Sequence, residues 1–410
     1  MTRTRPFPVV FLVGLTIGLV TGCTGPVTPS MSASPSATAF PSPSPPTSWV
    51  AAARPVTEMS AGDRAAIDAA ATDALASVGD GATALYVGLW DPLRGVYLRA
   101  YGESSPGVPA TLGDHNRIGS VTKTFTAVAV LQLVAQGRIA LSDTLAMLLP
   151  GLVAEFPAIA PFTVDQLLGM RTGIGDFFCC PNTFTETFYA DHAHEFSVAD
   201  LVSVGLQMHA PPPEPLSSSD YSNTNYVILG EILRVATGRP ANEVITELAR
   251  SAGLAGSGLG APDEREMPQP AAHGYLGPRF IAEHHDLLPA SVVPVADASD
   301  WTLSAGGPAG GMYSTVEDLG AWAASGYGSA LLPLGLANAR LTTPSGADWD
   351  YGYGIIRVGD WLGHGGSVDG WLIDSAFNTA TGATWVLIVN SSGGEGVLQA
   401  LGAFLPDPPY

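Results

Sequence analysis

Arg117-Ile118-Gly119-Ser120-Val121-Thr122-Lys123-Thr124-Phe125 holds the single lysine of the chain, three residues after a serine. The other 16 basic side chains are all arginines. Residues at i and i+3 share a helix face, so the Ser120 hydroxyl and the Lys123 amine can touch. The run that follows, Phe125 to Val134, is apolar on nearly every side and marks a buried helix. A lysine at the head of such a helix loses hydration, which disfavours its charged form and draws its pKa toward neutrality. That is what a base beside a nucleophile requires. The competing reading, a pair on a solvated helix face, does not fit an apolar run.

The 410 residues are 46% hydrophobic and only 13% charged, enough to bury a substantial core in one large domain or two modest ones. A net charge of −20 speaks against binding nucleic acid or an anionic lipid surface through a basic patch. The expected partner is a small-molecule or peptide substrate. No cofactor is expected and no metal site: His192 and His194 with Glu195, and the pair His284-His285, lack a completing ligand set. Cys179 and Cys180 are adjacent, so a disulfide between them needs a strained ring, and two thiols in a loop are the simpler reading.

The N-terminus reads as an export signal. Arg3 and Arg5 precede an apolar stretch from Phe7 to Val20, about 14 residues, short of the roughly 20 that span a bilayer. Its ending, Val20-Thr21-Gly22-Cys23, resembles the lipobox of bacterial lipoproteins, which implies that Cys23 becomes a lipid-modified first residue. An ordinary signal followed by an incidental cysteine is the alternative. Residues 24–50 contain 18 Ser, Pro and Thr among 27 and no charged side chain, the composition of an extended spacer. The expected organisation is therefore a signal over 1–22, a linker over 23–57 and a folded domain over 58–410. That domain is placed outside the cytoplasmic membrane and attached to it only through the lipid.

Within the domain, Ala61 to Val78 has a helical pattern. Thr83 to Trp90 and Gly95 to Ala100 flank the turn Asp91-Pro92-Leu93-Arg94 as a β-hairpin. Tyr353 to Val358, Trp371 to Phe377 and Thr384 to Asn390 are strand-like again, rich in β-branched and aromatic residues. Strands at both ends with helices between them predict an α/β (α+β) fold: one sheet from 58–119 and 340–410, and a mostly helical insertion over 120–339.

Two further segments make the serine and lysine interpretable. In Asp220-Tyr221-Ser222-Asn223, ahead of an apolar helical run, Tyr221 and Asn223 place a phenol and an amide on one side of an extended loop; helix capping is the bland alternative. A phenol can relay a proton and an amide can hold a carbonyl. In Gly363-His364-Gly365-Gly366-Ser367, glycines beside a strand let a ligand approach the backbone, and an N–H there can pair with that of Ser120 as an oxyanion hole. An incidental histidine in a glycine-rich turn is the alternative there.

Ser-x-x-Lys, Tyr-x-Asn and His-Gly-Gly, in that order, resemble the three motifs of the penicillin-recognising serine hydrolases. The likeness is to the group of class C β-lactamases, D-alanyl-D-alanine carboxypeptidases and related esterases. Similar supporting phrases are Phe162 to Leu168 with Thr172-Gly173-Ile174, and Gly310-Gly311-Met312-Tyr313-Ser314-Thr315. The resemblance covers residues 60–405. It implies a β-lactamase/transpeptidase-like fold with a five-stranded antiparallel sheet, and an acyl-enzyme on Ser120. Lys123 and Tyr221 would share the proton work, Asn223 would hold the substrate amide, and Gly366 and Ser367 would line the strand edge. His364 stands where many relatives have lysine; with an ordinary pKa near ~6.5 it is partly charged at neutral pH and pulls weakly on a substrate carboxylate. Arg357 is the nearest arginine in sequence for that carboxylate.

Other classes fit less well. No Gly-x-Ser-x-Gly elbow of the α/β-hydrolases occurs. A non-catalytic penicillin-binding sensor would carry a transmembrane segment and a cytoplasmic domain, and a scaffold would have lost one of Ser120, Lys123 or Tyr221. The expected function is that of a D-alanyl-D-alanine carboxypeptidase-like or β-lactamase-related hydrolase, with an esterase of the same fold as the alternative.

Overall fold

The structure, a computed structural model, describes residues 54–404 except 79, 180, 213–215, 286–287, 289–295 and 343–349. The expected signal, Cys23, most of the linker and Cys180 lie outside the described residues. The strands that matter are β1 (Ala84–Asp91), β2 (Gly95–Ser105), β3 (Ile356–Val358), β4 (Trp361–Gly363), β5 (Gly366–Val368), β6 (Trp371–Asn378) and β7 (Thr384–Val389). The longer helices include α1 (Ala61–Val78), α2 (Thr122–Ala135), α3 (Thr183–Ala190), α4 (Val198–Met208), α5 (Asn223–Thr237), α6 (Val316–Ala324) and α7 (Glu395–Leu401).

The two ends of the domain meet at the β1–β7 seam, where Val87 opposes Leu387, and β7 in turn sets Leu387 against Asp374 of β6. Every residue of β1, β6 and β7 is buried, because helices cover the sheet. This is why these strands read as nearly continuous apolar runs and not as alternating ones. The hairpin forms as expected, with Trp90 opposite Val96. Residues ahead of 58 already belong to it: the Thr57 carbonyl accepts the Val96 N–H at 2.8 Å, and the Arg54 guanidinium lies 5.2 Å from the Trp90 ring centre.

The sheet is wider than the five strands expected. Across its centre run β2, β1, β7, β6 and a fifth position shared by β4 and β5, both antiparallel to β6. That fifth strand is broken at His364-Gly365, where the His364 N–H still reaches the Ser375 carbonyl at 3.2 Å. Among the described residues, short edge segments bring the total to nine strands. They are two or three residues long and carry no periodicity that a sequence pattern could reveal.

Helix α2 is the axis of the inserted region, buried from Thr122 to Leu131. Its hydroxyls are all engaged: Thr124 Oγ1 accepts the Trp322 indole N–H at 2.8 Å and Thr126 Oγ1 donates to the Pro308 carbonyl at 2.6 Å. Phe125 stacks on Trp322 with centroids 4.1 Å apart, which ties α2 to α6. Among the described residues no helix is long and apolar enough to cross a membrane.

Candidate active site

Ser120 sits in a 3-10 turn, Gly119–Val121, that runs directly into α2. The turn is anchored from below, with the Ile118 N–H on the Met312 carbonyl at 3.0 Å and the Met312 N–H on Thr122 Oγ1 at 3.1 Å. Gly119 is held at φ +49°, a left-handed conformation that costs a side-chain-bearing residue energy. A Cβ there would lie 2.7 Å from the Ser367 nitrogen, and one on Gly366 would lie 2.1 Å from the Ile118 oxygen. Bare backbone therefore meets bare backbone, and β5 forms a ledge beside the serine. Ser367 is exposed on that ledge and Gly366 is buried in it.

Lys123, one turn on, is fully buried, with Nζ 3.0 Å from Ser120 Oγ, 2.7 Å from Asn223 Oδ1 and 2.6 Å from the Ala309 carbonyl oxygen. Burial draws its pKa down to about 7, against an opposing pull from the Asp176 carboxylate. The amine is therefore available unprotonated near neutral pH. Tyr221 is in hydrogen-bonding contact with Ser120 from the other side, and its ring centre is 5.1 Å from Lys123 Nζ. Burial raises its pKa above the ordinary phenol value, with the Ser120 contact lowering it in part. A group so shifted stays protonated at neutral pH.

Tyr221 does not lie on an extended loop with Asn223. Ser222, at φ −147° and ψ 123°, is the helix N-cap, and Asn223 is the first residue of α5. Both ends of the Asn223 amide are engaged, with Oδ1 on Lys123 and Nδ2 donating to the two Asp176 oxygens at 3.2 and 3.0 Å. His364 is 1% exposed and is pushed down to about 3, first by burial and then by the Lys123 charge. It is neutral at pH 7, so the partial charge expected from its ordinary pKa is absent. Its Nδ1 lies 2.6 Å from the Gly365 carbonyl and its Nε2 3.3 Å from the Tyr351 hydroxyl, which fits the tautomer with the proton on Nδ1.

The pocket over Ser120 has Tyr221, Asn223, His364, Gly366 and Ser367 in its walls, so the sequence-predicted residues come together. Arg357 does not line it; its Nε donates to the Gly359 carbonyl. Among the described residues no lysine or arginine lines the pocket. One wall is aromatic: Phe177 and Phe178 meet Phe184 and Phe188, four residues apart on α3, with the Phe184 and Phe188 rings stacked at 5.6 Å. Asn182 starts α3 with a capping box to Thr185, which sets the direction of both rings. His192, one of the histidines considered for a metal, instead stacks on Trp301 at 3.7 Å behind this wall.

Sequence reasoning missed Asp176, the phenylalanine wall and the Ala309 carbonyl. Asp176 follows the quoted Thr172-Gly173-Ile174, and an acid directly before Phe177-Phe178 was the available signal. A backbone carbonyl leaves no trace in a sequence.

Comparison with known proteins agrees with this geometry. The family described as Beta-lactamase matches residues 65–404. Penicillin-binding protein 4 of Amycolatopsis lactamdurans is 33% identical over 143 residues, 34% of this chain and 35% of that protein. Protein flp of Staphylococcus aureus (strain MW2) is 29% identical over 132 residues, 32% of this chain and 25% of that protein. The match thus spans about a third or less of each of these relatives. Among solved structures, a D-stereospecific amidohydrolase from Streptomyces sp. superposes with a TM-score of 0.67 at 28% identity, covering 81% of this chain and 97% of that one. The D-amino acid amidase from Ochrobactrum anthropi SV3 gives 0.67 at 23% identity, covering 84% and 98%. A penicillin binding protein from Bacillus halodurans gives 0.64 at 21%, covering 82% and 100%. These last two likenesses concern the fold alone.

Proposed function

The chain belongs to the beta-lactamase family, and from that premise we propose that it hydrolyses amides or esters through an acyl-enzyme on Ser120. In this reading neutral Lys123 accepts the Ser120 proton as Oγ attacks the substrate carbonyl carbon. The oxyanion forms on the ledge between the Ser120 and Ser367 N–H groups, where two fixed donors stabilise it without having to reorganise. Protonated Tyr221 gives its proton to the leaving nitrogen or oxygen and regains one from Lys123. Water then attacks the acyl-enzyme with the same groups acting in reverse. The pKa directions favour the amine over the phenol as the base.

The acyl side chain is proposed to be apolar and uncharged. The observation that carries this is a pocket whose walls, among the described residues, hold four phenylalanines and no cationic side chain, beside a histidine that is neutral. A carboxypeptidase or β-lactamase substrate brings a carboxylate that finds no cation here. The 28% likeness to a D-stereospecific amidohydrolase supports the amide reading. The carboxypeptidase-like or β-lactamase-related reading is kept second because of the stretch shared with Penicillin-binding protein 4. We also propose that the enzyme works outside the cytoplasmic membrane, tethered through Cys23.

The test is nitrophenyl acetate against nitrophenyl phenylacetate, the corresponding anilides, and a fluorescent penicillin, with Ser120→Ala as control. Burying a phenyl group against the wall is worth about 2 kcal/mol, so kcat/KM for the phenylacetyl ester is expected to exceed that for acetate about 30-fold. Phe178→Ala should erase most of that preference. Rapid Ser120-dependent penicillin labelling with no preference for the phenylacetyl group would overturn the substrate reading in favour of the second one.

A further inference from the structure

Asp176 touches neither Ser120 nor Lys123, and the steps above do not use it. Its carboxyl is not among the groups lining the pocket, and its side-chain hydrogen bonds all come from donors. The Phe178 N–H reaches Oδ1 at 3.1 Å, and the Asn223 Nδ2 reaches both oxygens. An ionised carboxylate only accepts hydrogen bonds. It therefore fixes which way the Asn223 amide faces: NH2 toward Asp176, and Oδ1 toward Lys123.

That orientation decides what the amine can do. A neutral amine has two N–H donors and one lone pair. Lys123 has three neighbours, and two of them, Asn223 Oδ1 and the Ala309 carbonyl, accept only. With both N–H groups spent on these, the lone pair is left for the third neighbour, the Ser120 hydroxyl at 3.0 Å. Were the Asn223 amide reversed, its NH2 would face the amine and compete with Ser120 for the lone pair.

We propose that Asp176 is a positioning residue, which locks Asn223 in the orientation that aims the Lys123 lone pair at Ser120. The inference rests on the hydrolase reading above, and it gives Asn223 a role inside the protein besides any contact with substrate. The titratable groups facing Lys123 are few. Tyr221 comes from the loop before α5, and Tyr226, with its ring centre 5.9 Å away, from α5 itself. His364 comes from the break between β4 and β5, and Asp176 from the loop ahead of α3. Of these Asp176 is the one carboxyl: burial raises its own pKa, the Phe178 N–H, the Lys123 charge and the Asn223 donors oppose that rise, and in its ionised form its Coulombic pull raises the amine's pKa against the effect of burial.

The test is the pH profile of kcat/KM for a nitrophenyl ester in wild type, Asp176→Asn and Asp176→Glu. An amide at 176 can present either its oxygen or its NH2, so Asn223 loses its lock, and the charge that lifts the Lys123 pKa is gone. Asp176→Asn is expected to lower kcat about 10- to 100-fold, the usual cost of a slightly misplaced catalytic group, and to move the acid limb to lower pH. Asp176→Glu keeps the charge, so its limb should stay near wild type while its rate falls. Unchanged kcat and limb in Asp176→Asn overturn the proposal, and so does a rate loss with an unmoved limb, which signifies a structural role. Should Asp176→Asn not fold, Asn223→Ala serves: with the bridge removed, adding Asp176→Glu must cost no further rate, and a further loss overturns the proposal. A wild-type chain without Ser120-dependent turnover refutes the hydrolase reading instead, so the two failures are distinguishable.

Discussion

Replacing Lys123 by methionine separates what this lysine costs the fold from what it gives the reaction. The side chain is fully buried and its pKa is drawn from 10.5 to about 7. At about 1.36 kcal/mol per unit, that difference amounts to roughly 5 kcal/mol of folding free energy. Between the two values the unfolded chain holds a proton that the folded chain has released, so raising the pH favours the folded state. Below the folded value both states hold the proton, and above the unfolded value neither does. Methionine has nearly the same length and no proton to lose. The stability of wild type minus that of Lys123→Met should therefore climb by roughly 5 kcal/mol between about pH 6.5 and about pH 10.5, and be flat below. The absolute difference at neutral pH is a poorer guide. Methionine removes the amine's desolvation cost but leaves Asn223 Oδ1 and the Ala309 carbonyl without their donor, a loss of about 1–3 kcal/mol each. The assay is a series of urea unfolding curves on both proteins across that pH range, in which the other titrating groups largely cancel on subtraction. Turnover should be lost in the variant at every pH. A difference that is flat or falls with pH refutes a depressed amine, and with it Lys123 as the base.

Two further substitutions probe the scaffold. Gly119→Ala forces a Cβ to within 2.7–2.9 Å of the Ser367 backbone at a φ of +49°. Pushing β5 off the serine should cost about 10²–10³ in kcat, the value of one oxyanion donor, and a wild-type rate would show that the Ser367 N–H plays no part. Trp322→Ala removes the stack on Phe125 and the indole bond to Thr124, and should cost about 3–5 kcal/mol in a urea melt; a loss below about 1 kcal/mol would mean that α2 is held from elsewhere.

The parts of the site that were legible in the sequence are those set by local geometry. Ser120 and Lys123 are three residues apart, and helical periodicity alone brings them to 3.0 Å. The β1–β2 hairpin needs only its turn, and the apolar run after Lys123 announces a buried helix and hence a desolvated amine. Periodicity was a poorer guide at Tyr221 to Asn223, where polar residues read as an extended loop. There Asn223 opens α5, with the N-cap Ser222 donating from Oγ to the Gly175 carbonyl.

The nucleophile, its candidate base and the class of fold could be read from the chain alone, because short spacings and apolar runs constrain the backbone directly. Tertiary structure decided the surroundings that turn these groups into a site. The Ala309 carbonyl reaches Lys123 across 186 residues and Asn223 across 100, Asp176 grips Asn223 across 47, and His364 loses its charge only because folding buries it. Hydrogen-bond partners and desolvation depend on which distant segments close over a group, and no spacing along the chain encodes that.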